Sequence, residues 1–152
     1  MVRGLRVFGS GIALAGFTLA GTASASAQEA AKPAPALTLD GDASVITILI
    51  KPDKTADFEA VIAKYKEAFA KSDNPTRKTQ LASMKFFKAA ATPGGVPYII
   101  VVDPVIKGEE YDITRIVTEV FPVEVQAIYQ KYKDSFAGRG ITPLTKFMSM
   151  GQ

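Results

Sequence analysis

Residues 84–104 read MKFFKAAATPGGVPYIIVVDP. Two apolar runs flank Pro93-Gly94-Gly95, the signature of a hairpin whose strands are the runs themselves. The first run carries lysines near both ends, as edge strands commonly do. The second is apolar at every position from Val96 to Val102, so it is greasy on both faces, as an interior strand would be. Asp103-Pro104 ends it. Upstream, SVITILIKP (44–52) has the same character: β-branched, apolar on both faces apart from Thr47, and stopped by Pro52. It predicts a strand over 45–50. Downstream, ITPLTKFMSM (141–150) reads as a last, mixed strand with the proline and lysine of an edge.

Helical periodicity fills the gaps between these strands. Phe58, Val61, Ile62, Tyr65 and Phe69 recur at steps of three and four and form one apolar stripe. Asp53 or Thr55 is suited to cap this helix. Asn74-Pro75 opens a short further turn, with proline at a favoured first position. A second helical region starts at a cap, Asp112, and is broken by Pro122. Beyond the break, Val125, Ile128, Tyr129, Tyr132 and Phe136 make another stripe, with both tyrosines expected in the core. The glycines of AGRG (137–140) read as its stop.

The resulting order, β-α-β-β-α-β, predicts an α+β ferredoxin-like sandwich: an antiparallel sheet with helices on one face. Strands one and three are expected at its centre, and their continuous apolar runs read as a parallel pair. Strands two and four are the edges. Helices on one face leave the other face of two apolar strands uncovered, and large uncovered apolar patches mark interfaces or grooves. The expected solution is a homodimer with opposed sheets, a dimeric α/β barrel.

The first residues carry a different signal. Arg3 and Arg6 precede an apolar run, and Ala25-Ser26-Ala27 offers a small-x-small cleavage site. This is the layout of a secretory signal peptide over 1–27, with export to the periplasm or medium. The run is short of the roughly 20 residues of a membrane span, so no stable membrane anchor is expected after cleavage. QEAAKPAPALTLDGD (28–42) follows as an Ala/Pro-rich linker, and a single domain is expected over 43–150.

Composition excludes whole classes of chemistry. The chain has no cysteine, no histidine and no tryptophan. There is no disulfide, no Ser-His-Asp or Cys-His machinery, and no His-ligated zinc or haem. No cofactor is expected. Eighteen Lys and Arg, less Arg3 and Arg6, leave sixteen against fifteen Asp and Glu. A nearly neutral mature chain without a basic block is not a nucleic-acid binder.

On the residues ITILIKPDKTADFEAVIAKYKEAF (46–69), MKFFKAAA and VPYIIVVDP, the chain resembles the dimeric α/β-barrel superfamily, which includes antibiotic-biosynthesis-monooxygenase-like domains. The resemblance spans Val45 to Met148 and implies the fold and the dimer. It implies a range of activities: cofactor-free oxygenases, haem-degrading enzymes and peroxidases, and domains with no known activity. Haem-using members rely on histidine, which this chain lacks.

Alternation along the strands nominates the residues that meet the partner sheet. Ile46, Ile48 and Ile50 are placed under the helices, and Val45, Thr47 and Leu49 on the far face. The ligand-binding candidates are Thr47 and Leu49 on strand one, Phe86 and Lys88 on strand two, Tyr98 on strand three beside Ile100, and Lys146 on strand four. No catalytic or metal-binding residue is nominated. The carboxylates of DPVIKGEEYD (103–112) read as a solvated loop with a helix cap, and Arg77 and Arg115 as surface ion-pairing residues. The favoured function is an exported, non-catalytic, dimeric domain that binds a small apolar or anionic molecule in its lumen. A structural or interaction domain and a cofactor-independent monooxygenase-like enzyme are the alternatives.

Export is directly testable. Expressed in a bacterium with its leader, the protein should be recovered outside the cytoplasm, and N-terminal sequencing should begin at Gln28 or an adjacent residue. Soluble cytoplasmic protein retaining Met1 would contradict this.

Overall fold

The computed structural model describes residues 33–149. The expected signal peptide, 1–27, lies outside the described residues. The elements are β1 (Ala43–Ile50), α1 (Thr55–Lys71), α2 (Pro75–Ser83), β2 (Met84–Lys88), β3 (Val96–Val102), α3 (Ile113–Val120), α4 (Val125–Ser135) and β4 (Phe136–Leu144). A 3-10 turn, Pro52–Lys54, joins β1 to α1. The protein is α+β, with a four-stranded antiparallel sheet in the order β2-β3-β1-β4, consistent with a ferredoxin-like arrangement.

The central pair is a correction to the sequence reading. β1 and β3 run antiparallel, not parallel, with Ile46 opposite Ile100 and Ile48 opposite Tyr98. Their continuous apolar runs therefore do not reflect a parallel sheet with helices on both sides. Both strands alternate strictly between buried and half-buried residues. One face is packed under helices, while the other is apolar with no described helix upon it.

β1 presents Ile46, Ile48 and Ile50 to the helices, as expected, with Val45, Thr47 and Leu49 on the open face. β3 is one residue out of the expected register. Val96, Tyr98, Ile100 and Val102 are buried on the helix side, and Pro97, Ile99 and Val101 look out. A one-residue slip moves every side chain to the other face. The β2 pairings carry Phe86 and Lys88 to the helix side as well, opposite Ile100 and Tyr98. The quoted hairpin closes at Pro93-Gly94, with Thr92 and Gly95 exchanging backbone hydrogen bonds of 2.8 and 3.0 Å. Gly95 has φ +127°, and a Cβ there would stand 2.7 Å from the carbonyl oxygen of Ile50. No other residue type fits without strain.

β4 also differs. It begins at Phe136, directly after α4, and ends at Leu144, so Lys146 lies beyond it. The AGRG glycines do not stop a helix but form part of β4, with Gly138 and Gly140 opposite Leu49 and Thr47. Long-range pairing with β1 overrides the local preference of glycine for helix ends. Phe136, expected on the α4 stripe, instead opens the strand, and Tyr129 is exposed rather than in the core.

α1 packs against α2, α3 and α4. Its stripe is buried through Phe58, Val61, Tyr65, Ala68 and Phe69, with Ile62 at the margin. Phe58 sits between two tyrosines, 4.8 Å from the ring of Tyr98 and 6.2 Å from that of Tyr132. Neither Asp53 nor Thr55 caps α1 through its side chain. Asn74 and Asp112 do cap α2 and α3, and the chain breaks between α3 and α4 around Pro122 as its missing N–H requires.

Two buried polar groups tie the helical layer together. Arg77, read from sequence as a surface residue, has no exposed area. Its guanidinium donates to both carboxylate oxygens of Glu119 at 3.0 and 2.5 Å, to Gln80 Oε1 at 2.7 Å, to Glu109 at 3.3 Å and to the carbonyl of Glu110 at 3.2 Å. Burial alone would lower its proton affinity, but Glu119 and then Glu109 outweigh that and raise it. Such a fork satisfies a buried guanidinium almost completely. Glu110 is the second group. Its carboxylate accepts backbone N–H groups of Ala36, Leu37, Tyr111 and Asp112 at 2.6 to 3.1 Å. The carboxylates of 103–112 are thus not merely a solvated loop.

Glu110 also corrects the expected linker. The part of 28–42 that is described does not hang free. Ala36 and Leu37 are held by Glu110, the Tyr111 N–H donates to the Leu37 carbonyl at 2.8 Å, and Leu39 is in the core. Leu39 is the main cause, because burying it stabilises the fold by about 2 kcal/mol, and Leu37 adds partly buried packing against the core.

Removing the guanidinium should expose the weight of this hub. Arg77→Ala leaves the buried Gln80 Oε1 without its donor and Glu119 without its cation, while the Glu110 carbonyl keeps the Gln80 amide. Urea denaturation should show a loss of roughly 1–3 kcal/mol, the range for leaving a buried polar group unsatisfied, because Glu119 is about a third exposed and regains water. Arg115→Ala, at an exposed position, serves as the control. A loss below about 1 kcal/mol for Arg77→Ala would mean that the pair behaves like a surface one.

Candidate functional site

The six nominated residues fall into three places. Thr47 and Leu49 lie on the open sheet face, as expected. Lys146 sits beyond β4, its backbone N–H donating to Asp42 Oδ2 at 3.0 Å, beside a shallow hollow lined by Asp103, Leu144 and Phe147. Phe86, Lys88 and Tyr98 come together, but on the helix side of the sheet rather than the open side. This convergence brings charged, phenolic and apolar side chains to one place at the surface.

It forms because of register and length. The Lys88–Tyr98 cross-strand pair puts both side chains on one face. β2 ends at Lys88 and is an edge strand, so the helical layer covers the Tyr98 ring but stops short of Lys88. Glu59, on the second turn of α1 next to the buried Phe58, reaches across. Its Oε1 accepts from the Tyr98 hydroxyl at 2.7 Å and from Lys88 Nζ at 2.8 Å. The ammonium also stands 5.6 Å from the Tyr98 ring centroid. Beside this trio, Ile62, Phe86 and Phe87 line an open groove of about 170 Å³. Phe86 and Phe87 are 37% and 52% exposed, high for adjacent phenylalanines.

The charges are mutually tuned. The Lys88 hydrogen bond, then that of Tyr98, holds the Glu59 carboxyl below its ordinary value. The Glu59 hydrogen bond holds the Lys88 ammonium above its own. Burial, then the Glu59 hydrogen bond, raises the Tyr98 phenol. At neutral pH the trio is a carboxylate, an ammonium and a neutral phenol, with no net charge.

Glu59, Ile62 and Phe87 were not nominated from sequence. The available signal was the position of Glu59, immediately after Phe58 and three residues before Ile62, on the border of the apolar stripe. Nothing local links it to β2, which follows some thirty residues later.

Other parts of the molecule offer less. Between the helices and the sheet, Ile46, Ile48, Tyr111, Tyr132 and Arg139 line a void of about 10 Å³, near the size of one water. Among the described residues, no group of three or more carboxylates is arranged to hold a metal ion, and no helix is long and apolar enough to cross a membrane. No protein-family model, curated protein or solved structure matches the chain.

The tuning of Glu59 has a definite sign. Because its folded-state value is depressed, its contribution is present above the unfolded carboxylate value. That contribution is lost as pH falls through the folded one. A carbon-detected NMR titration should place the Glu59 carboxyl below 4.5, and Lys88→Met should move it upward. A midpoint at or above 4.5 in the unmutated protein would contradict the Lys88–Glu59–Tyr98 geometry.

Proposed function

We propose that this is an exported, non-catalytic domain that forms a homodimer through the open face of its sheet, as in a dimeric α/β barrel, and holds a small molecule in the space between the two sheets. One observation supports this best: the open face is apolar at its centre and bare where β4 pairs with Thr47 and Leu49. Val45, Leu49, Pro97, Ile99 and Val101 form the apolar centre. Opposite Leu49 and Thr47, where β4 would place side chains, stand Gly138 and Gly140.

Physical reasons favour both halves of this reading. An apolar sheet face left in water is unfavourable by roughly 25 cal/mol for each Å² exposed. A second copy covers it with an identical surface under two-fold symmetry. Opposed sheets pack about 10 Å apart when side chains fill the gap. The two glycines remove that filling along one flank, and Thr47 supplies a hydroxyl at the hollow. The lumen residues of this arrangement are Thr47, Leu49, Ile99 and Val101, with Phe87 at the rim. Phe86, Lys88 and Tyr98 lie on the other side. The absence of histidine and cysteine, and the lack of a convergent acid–base set on the open face, favour binding over catalysis.

Two variants separate the dimer from the lumen. Leu49→Lys puts a charge into the apolar face without touching the helix-side core. By light scattering it should give a folded monomer or an aggregating species, whereas the unmutated protein should have twice the chain mass. Gly140→Val fills the hollow, since a Cβ there meets nothing within 4 Å in its own chain. It should leave the dimer intact and abolish retention of small molecules seen by native mass spectrometry. A stable monomer at micromolar concentration would end the barrel reading. Unchanged ligand retention in Gly140→Val would end the lumen reading alone.

A further inference from the structure

We infer that the groove beside Glu59, Lys88 and Tyr98 is a second binding site, and that it takes a neutral, single-ring aromatic molecule bearing a primary amide. The inference rests on the small-molecule-binding reading above, but needs neither the lumen nor the dimer.

Size sets the ring count. The groove measures about 170 Å³. A cavity of about 150 Å³ lined by apolar side chains accommodates benzene, so one ring with one small substituent fills the groove. The walls set the ring type. Phe86 and Ile62 present flat and branched apolar surface on the helix side, and aromatic rings gain from offset or edge contacts with such walls. Phe86 packs one edge against the ring of Tyr65 and leaves the rest of its surface open to the groove.

The polar end sets the substituent. Glu59 Oε1 is already occupied by Tyr98 and Lys88, while Oε2 accepts no hydrogen bond from the described residues. Lys88 uses one N–H on Glu59 and has others to give. The free positions are therefore one anionic acceptor next to one cationic donor. A primary amide offers an N–H₂ to the first and a carbonyl to the second in a single plane. A carboxylate would meet the Glu59 charge, and an ammonium would meet Lys88. A neutral group with both functions satisfies the pair without disturbing its balance.

The test uses benzamide, benzoate and benzylamine as probes, molecules of one shape and three charges. Each is titrated into the full-length protein while amide ¹H–¹⁵N spectra are recorded. Benzamide should give saturable shifts at Glu59, Ile62, Phe86, Phe87 and Lys88, and should bind at least about tenfold more tightly than either charged analogue, as expected for hydrogen bonds to charged groups. Glu59→Leu should weaken benzamide by a similar factor with the rest of the spectrum preserved. Phe86→Ala should weaken all three probes together. Equal affinity of the three probes, or an unchanged benzamide affinity in Glu59→Leu, would overturn the amide assignment. Shifts confined to Thr47, Ile99 and Gly140 would overturn the groove while leaving the lumen reading in place. Groove binding by a protein that proves monomeric would support this inference while removing the lumen reading. The absence of any saturable shift in the groove up to the solubility limit of benzamide would overturn the inference.

Discussion

A sheet has two faces, and the described helices cover one. Most of the architecture follows from that constraint. β1 and β3 hold the centre of the sheet, and their side chains alternate between a buried set and a half-buried set that is also apolar. The helix-side set joins Phe58, Val61, Tyr65 and Ile116 in a continuous core. The other set is complete in itself and has no partner among the described elements. Apolar character on both faces, usual for a strand between two helical layers, here serves a core on one side and an exposed apolar surface on the other.

The helical layer is held on its side by charge as well as by packing. Arg77 lies at the junction of α2, α3 and the loop before α3, and every one of its partners belongs to one of these segments. Apolar packing is non-directional and would tolerate α2 at several angles. A buried guanidinium with a bidentate carboxylate tolerates very few, since displacing it strands a charge. Glu110 does the same for residues 36–39, binding backbone rather than side chains. The two acidic neighbours Glu109 and Glu110 thereby act in opposite directions: one faces Arg77 and the other faces the incoming chain.

The groove at Glu59 arises where this layered scheme runs out. β2 is five residues long and sits at the edge, while α1 runs for seventeen. The helix therefore overhangs a short strand. At the overhang, Tyr98 keeps its ring in the core against Phe58 and its hydroxyl at the surface. Lys88 ends β2 where edge strands often carry a charge. The same lysine that protects an edge can also complete a polar site, because it has more donors than Glu59 uses. Edge protection and ligand recognition are compatible here.

Local pattern was enough to specify most of the elements and their kinds, β4 excepted. Proline and glycine punctuation marked the hairpin at 93–95 and the break at Pro122. The α1 stripe announced its buried face, and Asn74 and Asp112 announced two helix starts, because each of these depends on residues within a few positions of one another. Three of the six nominated residues, Phe86, Lys88 and Tyr98, do meet in space. What they meet, and on which side, was not legible. A run such as VPYIIVV is apolar at every position, so it carries no alternation from which to choose a face. Only pairing with β1 decided that Tyr98 points toward the helices. The strand at 136–144 was hidden for a related reason: its glycines look like a helix stop until β1 is placed beside them. Arg77 and Glu119 are 42 residues apart, and Ala36 and Glu110 are 74 apart. A charged side chain reads as solvent-exposed unless its partner is known. Sequence thus determined the periods and the stops, which are short-range properties of the backbone. Tertiary structure decided register, burial of charge and the meeting of Glu59 with β2, because each is set by a contact between segments that share no local signal.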